Sequence, residues 1–345
     1  MAKPTKAQQL YQELLSSHGR KIADAFLAAV QDLRDNADLQ RIAAAIEAGN
    51  LDAAIQAMHL DPAAFGVLQD AISAAYTAGG QAAVSTMPPI KTPQGAAVVV
   101  RFNGRNPRAE QWLKTESSQL VTRIIDDQRT AIRQALTAGM QKGQNPKTVA
   151  LDIVGRVNRA TGKREGGTIG LTGPQEEFAR TAADELASGD PAQLRNYLTR
   201  ARRDKRFDRT VQKAIDSGQP VPADIAGKAV QSYKNRLLQL RGETLGKHEA
   251  FGALAASKQE AFQQAADTGQ VAASAITKKW RHFANEHPRV QHEEMAGKSV
   301  SLNERFVLPD GTQMLYPHDP SAPASQTLGC HCMADYSISF LDGLD

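Results

Sequence analysis

Through most of this 345-residue chain apolar residues recur at the three-to-four spacing of an amphipathic helix, and that period restricts the fold more than any other feature. It runs from Gln8 to about Gln81, in stretches such as "LQRIAAAIEAGNLDAAIQAMHL" and "FGVLQDAISAAYTAGGQAAV". It returns from Pro107 to about Arg159, where Trp112, Leu120, Ile124, Ile132 and Leu136 fall near one face, and again from Pro174 to about Thr268. Gly189 and the stretch "SGQPVPAD" break the last of these. Only 5% of residues are aromatic while Ala, Gln and Arg are prominent, so residues that build large sheets are scarce. The pattern predicts a mainly α protein.

Texture divides the chain into four parts. Residues 1–85 read as an N-terminal helical region, and 86–106 as a Pro/Gly-rich linker with a short strand at the β-branched run Val98–Val100. Residues 107–268 form a central helical region; within it "RATGKREGGTIGLTGPQ" is glycine-rich and polar, which predicts a flexible loop. From 269 to 345 short mixed runs with Pro, Gly, Asn and His replace the helical period, predicting a small α+β domain. Within that domain Pro-Asp-Gly between "RFVL" and "QMLY" signals a hairpin.

Two cysteines, Cys330 and Cys332, are too few for a disulfide framework, and a bridge between positions two apart would be strained. The N-terminal stretch lacks the apolar core of a signal peptide, and no apolar run is long enough to cross a bilayer. These features predict folding in a reducing cytoplasm without a membrane partner. A net charge of +4 permits contact with nucleic acid without demanding it.

Both cysteines sit in "LGCHCMADY", and five of the eight histidines, His282, His287, His292, His318 and His331, share the last domain with them. In an extended segment alternate side chains share a face, which places Cys330 and Cys332 together and His331 opposite. Two thiolates and an imidazole from His292 would suit a structural zinc ion, with His282, His287, His318 or Asp319 as a fourth ligand. The same residues read first as small buried hydrophobes of a packed core that requires no cofactor, an architectural strand fastening the end of the chain to the helix bearing Arg289 and His292. A hydrolytic centre at His292, Cys330 and Cys332 would further need an open position and a carboxylate base, for which Glu293, Glu294 and Asp319 are the candidates. No Walker loop, His-Glu-x-x-His or Gly-x-Ser-x-Gly motif is present.

The densest charge lies in "LRNYLTRARRDKRFDRTVQKA", read as a basic helix carrying Arg195, Arg200, Arg202, Arg203, Lys205, Arg206 and Arg209 with Asp204 and Asp208 among them. Guanidinium groups in such a run can meet DNA phosphates without sequence preference, meet carboxylates of a protein partner, or pair internally on a solvated face.

The order of the C-terminal motifs resembles the signature of Mu F-type phage minor head proteins, also called head morphogenesis proteins. Trp280 is followed by Arg289-x-x-His292, Gly297, Phe306-x-x-Pro309-x-Gly311, the turn Tyr316-Pro317-His318-Asp319-Pro320, and Cys330-His331-Cys332. The stretches "RDKRFDRTVQKAI" and "RGETLGKHEA" resemble the family as well, so the likeness spans roughly residues 170 to 340. His331 stands where the family usually has Arg, and Lys247-His248-Glu249 replaces a usual Arg-Thr-Glu. The resemblance implies a structural minor capsid protein, made in the host cytoplasm and carried inside the head near the portal. There it would act in assembly, DNA packaging or ejection. Its expected partners are the portal protein, the major capsid or scaffolding protein, and double-stranded DNA bound without sequence preference. The family supplies no catalytic mechanism.

Overall fold

A computed structural model describes residues 5–91, 97–269, 271–283 and 288–339. The chain is mainly α, with a small strand-containing region at its C-terminal end. Helices α1 (Lys6–Asn36), α2 (Leu39–Glu47), α3 (Leu51–Gln56) and α4 (Gly66–Ser85) come first. Next come the antiparallel pair β1 (Ile90–Lys91) and β2 (Ala97–Val98), then α5 (Pro107–Gln141) and α6 (Pro146–Val154). A second short pair, β3 (Arg156–Val157) with β4 (Arg164–Glu165), leads to α7 (Gly173–Ala187), α8 (Pro191–Thr199), α9 (Asp208–Ser217) and the 45-residue α10 (Ala223–Asp267). The C-terminal region adds β5 (Ile276–Arg281), α11 (Val290–Glu294), β6 (Ser299–Ser301), β7 (Phe306–Val307), β8 (Gln313–Met314), α12 (Ala324–Thr327) and β9 (Met333–Ile338).

Local chemistry sets several helix boundaries. Carboxylate or amide oxygens of Asp38, Asn50, Asn145 and Asp190 accept from the first free backbone N–H groups of α2, α3, α6 and α8. Thr172 and Gln175 form a reciprocal capping box at the start of α7. At the other end of α9, Gly218 takes a left-handed conformation that closes the helix.

Two compact units are formed, one from Met1–Ala23, Leu68–Ser118 and Glu243–Asp345, the other from Asp24–Val67 and Gln119–Gly242. Their boundaries fall inside α1, α4, α5 and α10.

In the second unit the glycine-rich segment differs from its sequence reading. Residues 166–171 are buried, not a flexible surface loop. Arg34, itself buried, donates from Nε and Nη2 to the carbonyl of Ile169 (3.1 and 2.7 Å), from Nη2 to that of Gly167 (3.1 Å) and from Nη1 to that of Arg164 (3.4 Å). Burial lowers the Arg34 pKa to about 10, which leaves it charged at neutral pH. Beside it Lys234 donates to Thr168 Oγ1 and Glu176 Oε1 (2.9 and 3.1 Å) and Arg241 donates to the Gly170 carbonyl (2.9 Å), so this loop is held by three cations that its own composition does not reveal.

In the first unit β6, β5 and β9 form an antiparallel sheet in that order. Alternation along β5 sends Ile276, Lys278 and Trp280 inward. Ile276 joins Phe262, Leu302 and Ile338 in one apolar cluster, while Trp280 centres another with Met295, Phe306, Leu308, Met314, Cys330 and Cys332. Lys278 is wholly buried, donates to the Leu302 carbonyl (2.8 Å), and has its pKa lowered to about 7 by desolvation. The hairpin β7–β8 turns at Pro309-Asp310-Gly311, with Gly311 at φ 84°.

Candidate functional site

His292 lies on α11, a single helical turn, and its ring meets the edge of Trp280 at a centroid distance of 5.4 Å. Cys330 and Cys332 stand in the loop just ahead of β9, not within a strand as the alternation argument assumed, yet both are buried at 2% exposure while His331 between them is exposed. His292 Nδ1 is 3.3 Å from Cys330 Sγ and 3.6 Å from Cys332 Sγ. The ligand atoms of these three residues all lie within 4.8 Å of one another.

A second layer orients the imidazole. His292 Nε2 is 3.0 Å from Oε1 of Gln326 on α12. The Gln326 amide nitrogen donates to Asp310 Oδ2 and Gln291 Oε1, both at 2.6 Å. A carboxylate can only accept, so Asp310 fixes which end of the Gln326 amide faces His292. Nε2 therefore carries the ring proton and donates to Oε1, and the Nδ1 lone pair faces the two sulfurs. Sequence reasoning missed Gln326 altogether and took Asp310 as a turn residue only; neither has a ligand-like spacing to betray it.

The backbone N–H of Cys332 donates to Cys330 Sγ at 3.3 Å. The close approach of the two sulfurs shifts Cys330 well below the ordinary thiol pKa, while the same interaction and burial push Cys332 up.

Of the other candidate ligands, His282 brings Nδ1 to 3.5 Å from Cys332 Sγ and sets Nε2 4.0 Å from Glu293. His318 is buried with its ring stacked on Phe251 (4.4 Å, 8°), and at φ 69° it occupies a left-handed conformation. His287 lies outside the described residues. Asp319 is engaged by its own turn, accepting from the N–H groups of Leu315 and Ser321, the Ser321 hydroxyl and Arg305.

The remaining motif residues hold this cluster in place. Arg289 donates to the Leu328 carbonyl ahead of Cys330. Gly297, at φ 86°, donates to the Trp280 carbonyl, and Phe306 meets Trp280 edge to face at 5.2 Å. Pro317 is buried in the turn that Asp319 closes. Lys247 and His331, two of the three residues that differ from the resembling motifs, line one apolar groove of about 620 Å³ with Tyr11, Leu15, Phe251 and Met333. No family model, curated protein or solved structure matches the chain.

The basic segment is not one helix. It spans the end of α8, a turn, a short 3₁₀ stretch at Lys205–Phe207 and the start of α9. Arg200 forms a two-pronged pair with Glu185 (2.7 and 2.9 Å), Arg203 does so with Asp208 (both 2.9 Å), and Arg206 binds Asp204 (2.7 Å). Asp204 is buried, and its bond to Arg206 holds it far below the ordinary carboxylate range. Arg195, Arg202, Lys205 and Arg209 are exposed and have no ion-pair partner among the described residues. Of the seven cations, Arg200 and Arg203 are tied down against the fold, Arg206 holds Asp204 while its own side chain is exposed, and four face solvent without such a pair.

Proposed function

We propose that this chain is a structural minor head protein of a tailed phage, acting inside the head near the portal in assembly, DNA packaging or ejection. One observation supports the reading above the others: residues of the resembling motif, scattered from Trp280 to Cys332, engage one another in a single packed subdomain. Arg289, His292, Gly297, Phe306, Asp319 and both cysteines each hold a neighbouring motif segment, which is what an architectural signature does. A metal-dependent nuclease or hydrolase at His292, Cys330 and Cys332 fits less well. Its three donors are buried, Asp319 is taken up by its turn, and Glu293 and Glu294 are exposed to solvent, Glu293 lying beside His282. Quantitative mass spectrometry of purified heads should find the protein at far fewer copies than the major shell protein, and copurifying with a portal ring. Absence from both procapsids and virions would refute the proposal.

Binding to DNA in this reading belongs to Arg195, Arg202, Lys205 and Arg209. Charge reversal of Arg202, Lys205 and Arg209 should weaken binding to double-stranded DNA and lower the salt slope of log affinity by about three, one for each phosphate no longer neutralised. Arg200→Ala and Arg203→Ala should instead lower the melting temperature and leave that slope unchanged. A salt slope unaffected by the triple reversal would assign the exposed cations to a protein partner.

A further inference from the structure

We propose that Cys330, Cys332, His292 through Nδ1 and His282 through Nδ1 bind one structural zinc ion, closed to solvent. The inference stands apart from the head-protein reading, since it rests on the donors alone. Zinc–sulfur and zinc–nitrogen bonds of about 2.3 and 2.0–2.1 Å at tetrahedral angles give sulfur–nitrogen edges of about 3.6 Å. The approaches of His292 Nδ1 to Cys330 and Cys332, 3.3 and 3.6 Å, and that of His282 Nδ1 to Cys332, 3.5 Å, are edges of that length.

Three further features are those of a metal shell and not of an apolar core. First, the chain Asp310–Gln326–His292 leaves the Nδ1 lone pair facing two sulfurs, as a ligating imidazole requires. Second, the Cys332 N–H points at Cys330 Sγ, where it stabilises a thiolate. Third, His282 Nε2 is buried without a hydrogen-bond partner among the described residues, with Glu293 4.0 Å away as the carboxylate that a ligating histidine commonly addresses through its second nitrogen. His282 touches the cluster through Cys332, so an ion would draw its ring inward to complete the tetrahedron. Burial of both cysteines and His292 at 2% leaves no open position for a reacting water, which makes the site structural. It would fasten α11 and the β5 terminus to the loop that feeds β9.

The test uses the full chain purified without chelators. Elemental analysis should find close to one zinc per chain. Replacement by cobalt should give the intense visible bands of a tetrahedral site with a thiolate-to-cobalt charge-transfer band. Removing the metal should lower the melting temperature. Cys330→Ser with Cys332→Ser should abolish the charge-transfer band. His282→Ala should keep that band but alter the visible spectrum as water enters, whereas His318→Ala should leave both alone. Gln326→Ala should weaken zinc binding about tenfold, the usual effect of losing a partner that orients a ligand. A folded wild-type chain that holds no zinc and gives no thiolate–cobalt band overturns the site, whether or not the cysteine variant folds. A visible spectrum altered by His318→Ala and not by His282→Ala overturns the choice of fourth ligand.

Discussion

Arg34→Met should destabilise the second unit by roughly 3–5 kcal/mol, because it strips a buried cation from three backbone carbonyls and leaves them without donors. Each orphaned buried carbonyl costs about 1–3 kcal/mol, and methionine fills the aliphatic volume without supplying a single donor. Arg34→Lys should recover only part of the loss, since an ammonium cannot span Arg164, Gly167 and Ile169 as a planar fork does. Hydrogen exchange should quicken across residues 164–171 in both variants. Arg41→Met, at an exposed position on α2, should stay within about 0.5 kcal/mol of the parent. Chemical unfolding of all three checks the account. A loss below about 1 kcal/mol in Arg34→Met would mean that the loop supports itself.

The second large effect is expected in the other unit, where two helices meet at glycines. A methyl group on Gly246 of α10 would sit 2.2 Å from the carbonyl oxygen of Gly19 on α1 and 2.9 Å from the backbone nitrogen of Ala23. Backbone cannot rotate away as a side chain can, so the helices must part, and Gly246→Ala should cost about 3 kcal/mol or more. The partner glycine is not equivalent. A methyl group on Gly19 would meet its neighbours only at ordinary van der Waals separation, the nearest at 3.6 Å. Gly19→Ala should therefore be neutral or stabilising by up to about 1 kcal/mol, through helix propensity. Melting temperatures of the two alanine variants test the asymmetry, and equal shifts would refute the packing described.

Much of the helical skeleton was legible because its signals are local. The apolar period and the breaks at Gly189 and "SGQPVPAD", the latter holding the helix stop at Gly218, act within one or two turns of the residues that carry them. The hairpin at Pro309-Asp310-Gly311 was legible for the same reason. The candidate site was legible in its donors, since cysteine and histidine carry distinctive chemistry wherever they stand. Its second layer was not, because Gln326 acquires its role only by lying 34 positions from His292 in sequence and 3.0 Å from it in space.

The basic run and the glycine-rich loop mark the limit most sharply. Composition counted seven cations between Arg195 and Arg209, but only folding decided that Arg200 would meet Glu185, fifteen residues upstream. In "EGGTIGLTG", glycine and polarity suggested mobility, the right inference for a chain segment left in water. The tertiary structure reversed it by bringing Arg34 and Lys234 to the loop from distant helices, so that its backbone carbonyls and Thr168 hydroxyl found partners away from solvent. Sequence by itself determined which long stretches are helical, where the β7–β8 hairpin turns and which residues carry metal-binding chemistry, all properties set by near neighbours. Which charges are buried, which glycines touch and which donors converge depend on residues far apart along the chain coming together, and only the tertiary structure decided them.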